Sequence, residues 1–184
     1  MTENQFETEL IQYITSGTIT KPEHLDGIGD FMVSEKPSDY VIKTKLWKYE
    51  PNIKTTEQLW NNFKEILENH NQNTLDHPLS VVEFNQVKKI ISDIKTPYEA
   101  GQFLYGLNGV SQIEIDLDDG RHVFLTVFDQ KQIGAGDTVY QVVNQIERPA
   151  IITGKQNRRF DTTLLIIGLP IIQIEEKRNT HDIN

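Results

Sequence analysis

The stretch NRRFDTTLLIIGLPIIQIEEKR, residues 157–178, decides how the C-terminal part of the chain folds. Two apolar runs, 164–167 and 171–174, have the length and composition of buried strands. Between them lies Gly-Leu-Pro at 168–170, which is typical of a tight connection because glycine and proline favour turns. The stretch therefore predicts a β-hairpin with an apolar body.

The charged side chains of this hairpin lie only at its open end. Asp161 precedes the first apolar run, and Glu175, Glu176 and Lys177 follow the second. Alternate strand residues share a face, so Glu175 and Lys177 are neighbours about 6–7 Å apart, whereas Glu176 points to the other face. Two carboxylates and an ammonium that converge at one sheet end can hold a hard cation and stabilise developing charge. The alternative is that these charges merely solvate the ends of buried strands.

The bulk composition limits the domain organisation. A chain of 184 residues can build one domain with a substantial core, but is short for two. The absence of cysteine excludes disulfides and thiolate metal sites and suits a reducing cytoplasm. The acidic N-terminus lacks the features of a signal peptide, and no apolar run is long enough to span a membrane. We therefore expect one cytoplasmic domain, residues 1–184, without a membrane partner.

Charge and motif content exclude several function classes. The net charge of −9 argues against a protein that coats nucleic acid non-specifically. The five histidines are scattered, which disfavours a zinc site, and neither a Walker A motif nor a G-x-G-x-x-G motif is present. The charge is uneven, however, because residues 148–178 hold six basic and three acidic side chains. The hairpin is thus a locally basic region of an acidic protein.

The first predicted element is an amphipathic helix at residues 5–16. Its apolar residues recur at helical spacing, and Gly17 is a stop signal: Phe6, Leu10, Ile11 and Ile14. Glu7 lies on or beside this face. The spacing alone favours a boundary residue that extends to water.

A helix-rich N-terminal half precedes a strand-rich C-terminal half. Apolar spacing and capping signals predict helices at 56–70, 80–94 and 98–107. Alternation and turn residues predict strands at 40–46, 113–117, 121–128 and 138–146. Together with the hairpin, these elements predict an α/β (α+β) fold in which helices flank a mixed central β-sheet.

Three segments resemble the N-terminal nuclease domain of the R (restriction and translocation) subunit of type I restriction-modification enzymes. They are QVVNQ at 141–145, NRRFD at 157–161 and GLPIIQIEEK at 168–177. The first helix, with FETELIQYI at 6–14, is similar to the opening helix of that domain. Three positions depart from the family's usual residues, which are proline, asparagine and an apolar residue: Phe160, Ile167 and Glu176.

The resemblance implies a restriction-endonuclease-like fold and Mg²⁺-dependent endonucleolytic cleavage of DNA by a D…E-x-K site. Asp161 and Glu175 would hold Mg²⁺ together with the backbone carbonyl of Glu176. Lys177 would orient the attacking water or neutralise charge on the phosphate. Glu7 would support the site as a fourth catalytic candidate.

The resemblance also implies partners and supporting residues. Lys155, Arg158 and Arg159 would contact phosphates of double-stranded DNA, and Gln145 and Gln173 would be polar residues beside the site. R subunits of this kind continue into ATP-driven translocase lobes, so the chain resembles an N-terminal fragment, and ATP belongs to the full-length subunit. The methyltransferase and specificity subunits would complete the complex.

Two alternatives to a nuclease remain open at the level of sequence. One is a nuclease-shaped docking or DNA-binding module that joins the R subunit to its methyltransferase partner without cleaving by itself. The other is a plain α/β domain with no site.

Overall fold

The computed structural model describes residues 3–16, 46–132, 138–150 and 156–175. Within these segments the order of elements is α1 (Glu3–Ser16), β1 (Trp47–Tyr49), α2 (Thr56–His70), α3 (Val81–Ser92), α4 (Pro97–Tyr105), β2 (Val110–Asp116), β3 (His122–Asp129), β4 (Tyr140–Arg148), β5 (Arg158–Ile166) and β6 (Leu169–Ile174). This order confirms the predicted mixed α/β fold with a helix-rich N-terminal half. It is compatible with a restriction-endonuclease-like fold.

The described strands form one mixed sheet and one separate hairpin. The four-stranded sheet has the order β1-β4-β5-β6, in which β1 is parallel to β4 and the other pairs are antiparallel. Among the described strands, β2 and β3 form a separate antiparallel pair. The mixed central sheet therefore combines a C-terminal meander with one strand from the N-terminal half.

The turn between β5 and β6 differs from the prediction. Ile167 and Gly168 form it, with φ of 53° and 74°, and Leu169 already belongs to β6. Positive φ at both central residues is the mark of a type I′ hairpin turn, whose twist matches that of the strands. Pro170 is tolerated because β6 is an edge strand of the described sheet and needs no partner on its outer side.

The predicted helices agree with the structure except at their C-termini. α2 matches the predicted 56–70, and α3 begins with the predicted capping box of Ser80 and Glu83. α3 stops at Ser92 rather than 94, and α4 stops before Gly106, which has a φ of 57°. In the predicted strand at 40–46, residues 40–45 lie outside the described residues, and Leu46 immediately precedes β1.

Apolar packing covers β4 and β5 on both faces. Val142 on β4 and Leu164 on β5 are opposite each other and pack with Ile11 of α1. A second cluster combines Val143 with Leu165, which lie on the alternate positions of the same strands. The helices α2 and α3 and the β2–β3 hairpin share a larger core of their own. The middle of β4 is therefore an apolar environment in which polar side chains need partners.

The predicted N-terminal helix is confirmed by α1, but one of the apolar residues that were predicted to be buried is exposed. Ile11 is buried and Ile14 packs against it, whereas Phe6 is 49% exposed. Among the described helices, none combines the length and the apolar character that a bilayer crossing requires.

Candidate active site

Three polar residues occupy one row across β4, β5 and the end of β6. The residues that flank Gln145 on β4 pair with those that flank Asp161 on β5, which places these two opposite each other. On the other side of β5, Thr162 pairs with Ile174, so the next residue, Glu175, follows opposite Asp161. Opposed residues of antiparallel strands have Cα atoms about 4.5–5.5 Å apart. The sheet therefore brings Gln145, Asp161 and Glu175 to one level.

The backbone of β4 is irregular at this row. Gln145 has a φ of 55°, in the left-handed region that non-glycine residues seldom adopt. The regular alternation of faces is interrupted there, because Ile146 packs in the same cluster as Val143. As a result, the consecutive side chains of Asn144 and Gln145 both reach one carboxylate, that of Glu7. In a regular strand, neighbouring side chains would point to opposite faces.

Glu7 is buried, with 6% of its surface exposed, so its interpretation as a boundary residue that extends to water is wrong. Its two oxygens accept one amide N–H each, from Asn144 Nδ2 at 2.9 Å and from Gln145 Nε2 at 2.8 Å. Packing of Ile11, one turn further along α1, fixes the helix on the sheet. Glu7 is thus a fully hydrogen-bonded carboxylate beside the row.

A tyrosine at the end of β1 and a lysine between β1 and α2 complete the network. Asn144 Oδ1 accepts hydrogen bonds from the Tyr49 hydroxyl at 2.9 Å and from Lys54 Nζ. Lys54 Nζ also donates to the Asn144 backbone carbonyl at 2.9 Å. Burial lowers the pKa of Lys54, whereas the Glu7 carboxylate acts in the opposite direction. Burial and the charge of Glu7 both raise the pKa of Tyr49, and its hydrogen bond to Asn144 opposes them.

The β6 end of the row is more exposed to solvent than the end at Glu7. Glu175 and Gln173 are exposed, and Gln173 Nε2 donates to Glu175 Oε1. Asp161 is half-buried in the middle of β5. The row thus has a closed side at Glu7 and an accessible side at Glu175.

Three of the predicted site residues lie outside the described residues: Lys155, Glu176 and Lys177. The convergence of Lys177 with the two carboxylates therefore stays a prediction. Within the described segments, no three histidine, aspartate or glutamate side chains come together as a metal site. What the described residues provide is a pair of acids, Asp161 and Glu175, which adjoin the paired residues Thr162 and Ile174.

Exposed arginines lie at the start of β5, on the same strand as Asp161. Arg158 is directly opposite Arg148 of β4, and Arg159 is opposite Glu147. Like charges at directly opposed positions are unfavourable in the absence of an anion. Arg148 was not among the predicted DNA-binding residues, but its position opposite Arg158 makes it a further candidate.

Tyr49, Lys54 and Asn144 are partners of the site that the sequence did not predict. Asn144 had a usable signal, because a polar Asn-Gln pair interrupts an otherwise apolar strand. Lys54 had none, since it contacts a residue 90 positions away across a parallel strand pair.

A mixed sheet with an acidic pair at the end of an apolar hairpin is an arrangement compatible with restriction endonucleases. Sequence comparison defines the family. Residues 35–184 match the family described as "Type I restriction enzyme R protein N terminus", and the chain belongs to this family. α1, with Glu7, precedes the matched region.

Relatives with known names agree with this assignment. The type I restriction enzyme SauMSSORF170P endonuclease subunit of Staphylococcus aureus (strain MSSA476) is 32% identical over 133 residues, which are 72% of this chain and 13% of that subunit. The SsaAORF53P endonuclease subunit of Staphylococcus saprophyticus is 29% identical over 155 residues, which are 80% of this chain and 15% of that subunit. The chain thus spans a small part of the length of the relatives it matches.

Proposed function

We propose that this chain is the nuclease domain of a type I restriction enzyme and that it cleaves phosphodiester bonds of double-stranded DNA in a Mg²⁺-dependent reaction. The observation that carries the proposal is the pairing of Thr162 with Ile174, which brings the adjacent acids Asp161 and Glu175 to neighbouring positions at the open end of an apolar hairpin. The relatives named as endonuclease subunits support the same class of reaction.

The donor set suits Mg²⁺. Asp161 and Glu175 supply hard carboxylate oxygens from adjacent strands, and a Mg²⁺ site commonly uses one or two carboxylates, with waters and substrate phosphate as its other ligands. The backbone carbonyl of Glu176 would be a further ligand of the same kind. When bound, the ion would polarise the scissile phosphate and lower the pKa of a water.

The other residues bind and orient the substrate. Lys177 would neutralise charge that develops on the phosphate, which is the role of a preorganised cation in phosphoryl chemistry. Gln173 holds the exposed carboxylate of Glu175 by a hydrogen bond. Lys155, Arg158 and Arg159 would bind the DNA backbone, a contribution that weakens with salt.

A second candidate function is docking to the methyltransferase subunit. The observation that favours it is the set of exposed apolar side chains on and beside α3 and α4, which a protein partner could cover: Val81, Val82, Tyr98, Tyr105 and Leu107. In either function the domain would act in the cytoplasm within a complex of R, methyltransferase and specificity subunits. ATP-driven translocation would belong to other parts of the R subunit.

Nicking of a supercoiled plasmid by the intact restriction complex separates the two functions. We expect Lys177→Ala to abolish nicking and to leave ATP hydrolysis and complex assembly intact. Lys131→Ala, which removes an exposed lysine after β3, is the matched control and should nick like the wild type. Wild-type nicking by Lys177→Ala would refute the proposed role of the domain and favour docking.

A further inference from the structure

The hydrogen bonds that join Lys54, Asn144, Glu7 and Gln145 form a network with a direction: each side-chain amide presents its NH₂ group at one end and its oxygen at the other. We propose that Lys54 determines this direction. Lys54 is a positioning residue that acts through Asn144 and Glu7 to fix the side-chain amide of Gln145 in the orientation that the site needs beside Asp161. This inference rests on the proposed nuclease function, which gives Asp161 its role.

The direction begins at the amide of Asn144. A lysine ammonium can only donate hydrogen bonds, so the atom that faces Lys54 Nζ has to be the oxygen, Oδ1. The Tyr49 hydroxyl donates to the same oxygen at 2.9 Å. Asn144 Nδ2 is then left to donate to Glu7 Oε1 at 2.9 Å. A reversed amide would place its NH₂ group against the ammonium and its oxygen against the carboxylate.

The carboxylate of Glu7 transmits this direction to Gln145. Both oxygens of Glu7 act as acceptors in this network, Oε1 from Asn144 Nδ2 and Oε2 from Gln145 Nε2 at 2.8 Å. Gln145 Oε1 has no hydrogen-bond partner among the described residues. The network therefore presents an acceptor oxygen at the position opposite Asp161. There it can accept a hydrogen bond from the water that attacks the phosphodiester.

Two costs of this arrangement, buried polar groups and a strained backbone, coincide at the row of Gln145. Glu7 and Asn144 are buried between apolar clusters, and burial of polar groups is unfavourable unless each is hydrogen-bonded. The φ of 55° at Gln145 adds backbone strain, and it is this irregularity that brings two consecutive amides to one carboxylate. Strained backbone of this kind is concentrated at functional sites. Its coincidence with the row of Asp161 favours a role in the reaction over one in packing.

Lys54 is placed for this role by a break in the β1–β4 pairing. The parallel pairing ends at Tyr49 with Val142 and resumes at the isolated bridge of Thr55 with Glu147. The backbone carbonyl of Asn144 lies in the gap between these two pairings. Lys54 Nζ donates a hydrogen bond of 2.9 Å to this carbonyl and another to the side-chain oxygen of Asn144. Two bonds to one residue fix the ammonium, which in turn fixes the amide.

Reversal of the network tests the proposal. In Glu7→Gln, Asn144 is still held by Lys54 and still donates, so the new amide must turn its oxygen to Asn144 and its NH₂ to Gln145. Gln145 then has to reverse and to lose its presented acceptor oxygen. We expect cleavage by the intact enzyme to fall by roughly a hundredfold, as for a misplaced catalytic group, with little change in melting temperature.

A second substitution should restore the direction. In Asn144→Asp with Glu7→Gln, the new carboxylate at position 144 accepts from Lys54, from Tyr49 and from the new amide at position 7. The oxygen of that amide then accepts Gln145 Nε2 as in the wild type. We expect the double variant to recover cleavage, although each single variant is impaired. A double variant that is folded and as inactive as Glu7→Gln would overturn the inference.

The role of Lys54 itself has a readout that does not depend on cleavage. In the 184-residue chain with ¹⁵N-labelled side-chain amides, Lys54→Met should shift the Gln145 and Asn144 amide signals, whereas Lys54→Arg should retain them. In the enzyme, Lys54→Met should lower kcat and leave the KM for DNA unchanged. Unchanged Gln145 signals in Lys54→Met and in Glu7→Gln would overturn the network whether or not the enzyme cleaves. Shifted signals with an inactive wild type would instead support the network and refute only the nuclease function.

Discussion

The buried carboxylate of Glu83 accepts a hydrogen bond of 2.8 Å from the backbone N–H of Asp118, which lies in the turn of the β2–β3 hairpin. Its second oxygen accepts from the backbone N–H of Ser80 at 2.7 Å and so caps α3. One side chain, 0% exposed, thus joins the start of a helix to a hairpin turn. Burial acts to raise the pKa of Glu83, but the hydrogen bonds from Asp118 and Ser80, together with the neighbouring His77, hold the pKa below its ordinary value of 4.5.

Glu83→Gln should destabilise the domain because a side-chain amide has one oxygen and cannot accept both N–H groups as the carboxylate does. We expect the free energy of unfolding to fall by about 1–3 kcal/mol, the cost of an unsatisfied buried group. Glu65→Gln on the exposed face of α2 is the control and should change it by less than about 0.5 kcal/mol. Urea denaturation measures both, and equal effects would contradict the proposed importance of Glu83.

The stability of the wild type should also depend on pH through Glu83. Because the pKa is lowered in the folded state, the ionised carboxylate stabilises the native state above pH 4.5, and this contribution is lost as the pH falls through the folded pKa. The urea midpoint of the wild type should therefore drop on acidification more than that of Glu83→Gln. Parallel curves for the two proteins would show that other groups carry the acid dependence.

Two glycines should respond to alanine in opposite directions. Gly168 has a φ of 74°, and an added Cβ would lie 2.9 Å from the Cα of Phe63, a backbone atom that cannot easily move. Gly168→Ala should therefore cost about 1–3 kcal/mol of stability. Gly101 lies inside α4 with nothing within 4 Å of an added Cβ, so Gly101→Ala should stabilise by about 0.5–1 kcal/mol. Thermal melts of the two variants measure the contrast directly.

The opposed pair of Arg148 and Arg158 should bind the DNA backbone. Replacing both with glutamine should lower the slope of log K against log salt by about 1.8, since each phosphate contact contributes about 0.9. The control, Lys89→Gln with Lys131→Gln, removes the same charge from exposed positions elsewhere. Fluorescence anisotropy with a short duplex measures the slope. An equal reduction in the control would assign the effect to net charge rather than to contact.

Local signals in the sequence predicted most of the fold. The capping box of Ser80 and Glu83 and the alternation of β2 each involve a few neighbouring residues, and both were confirmed. The β5–β6 turn was displaced because Ile167, a β-branched residue, adopts a positive φ of 53° that its identity does not suggest. Phe6 was predicted to be buried because helical spacing gives the direction of a face but not how far the packing partner extends.

The candidate site was predictable only in the part that one hairpin contains. Chain reversal brings Asp161 close to the end of β6, but its alignment with Glu175 also depends on the register shift between Leu164 and Leu165, which no local pattern predicted. The closed side of the row depends on contacts between distant segments, such as Glu7 with Asn144 over 137 positions. Neither the register of β1 on β4 nor the left-handed backbone of Gln145 has a local pattern that predicts it.

The two adjacent glutamates after β6 should have unequal importance for cleavage. Glu175 follows opposite Asp161, and strand alternation would turn the Glu176 side chain to the other face, where only its backbone carbonyl could reach a shared ion. In the intact enzyme, Glu175→Ala should therefore lower cleavage by roughly a hundredfold or more, because it removes one of the two carboxylates that would hold Mg²⁺. Glu176→Ala should keep most activity, and ATP hydrolysis should persist in both variants as the control. Plasmid cleavage assays run side by side decide the matter: an inactive Glu176→Ala and an active Glu175→Ala would mean that the metal-binding face begins one residue later.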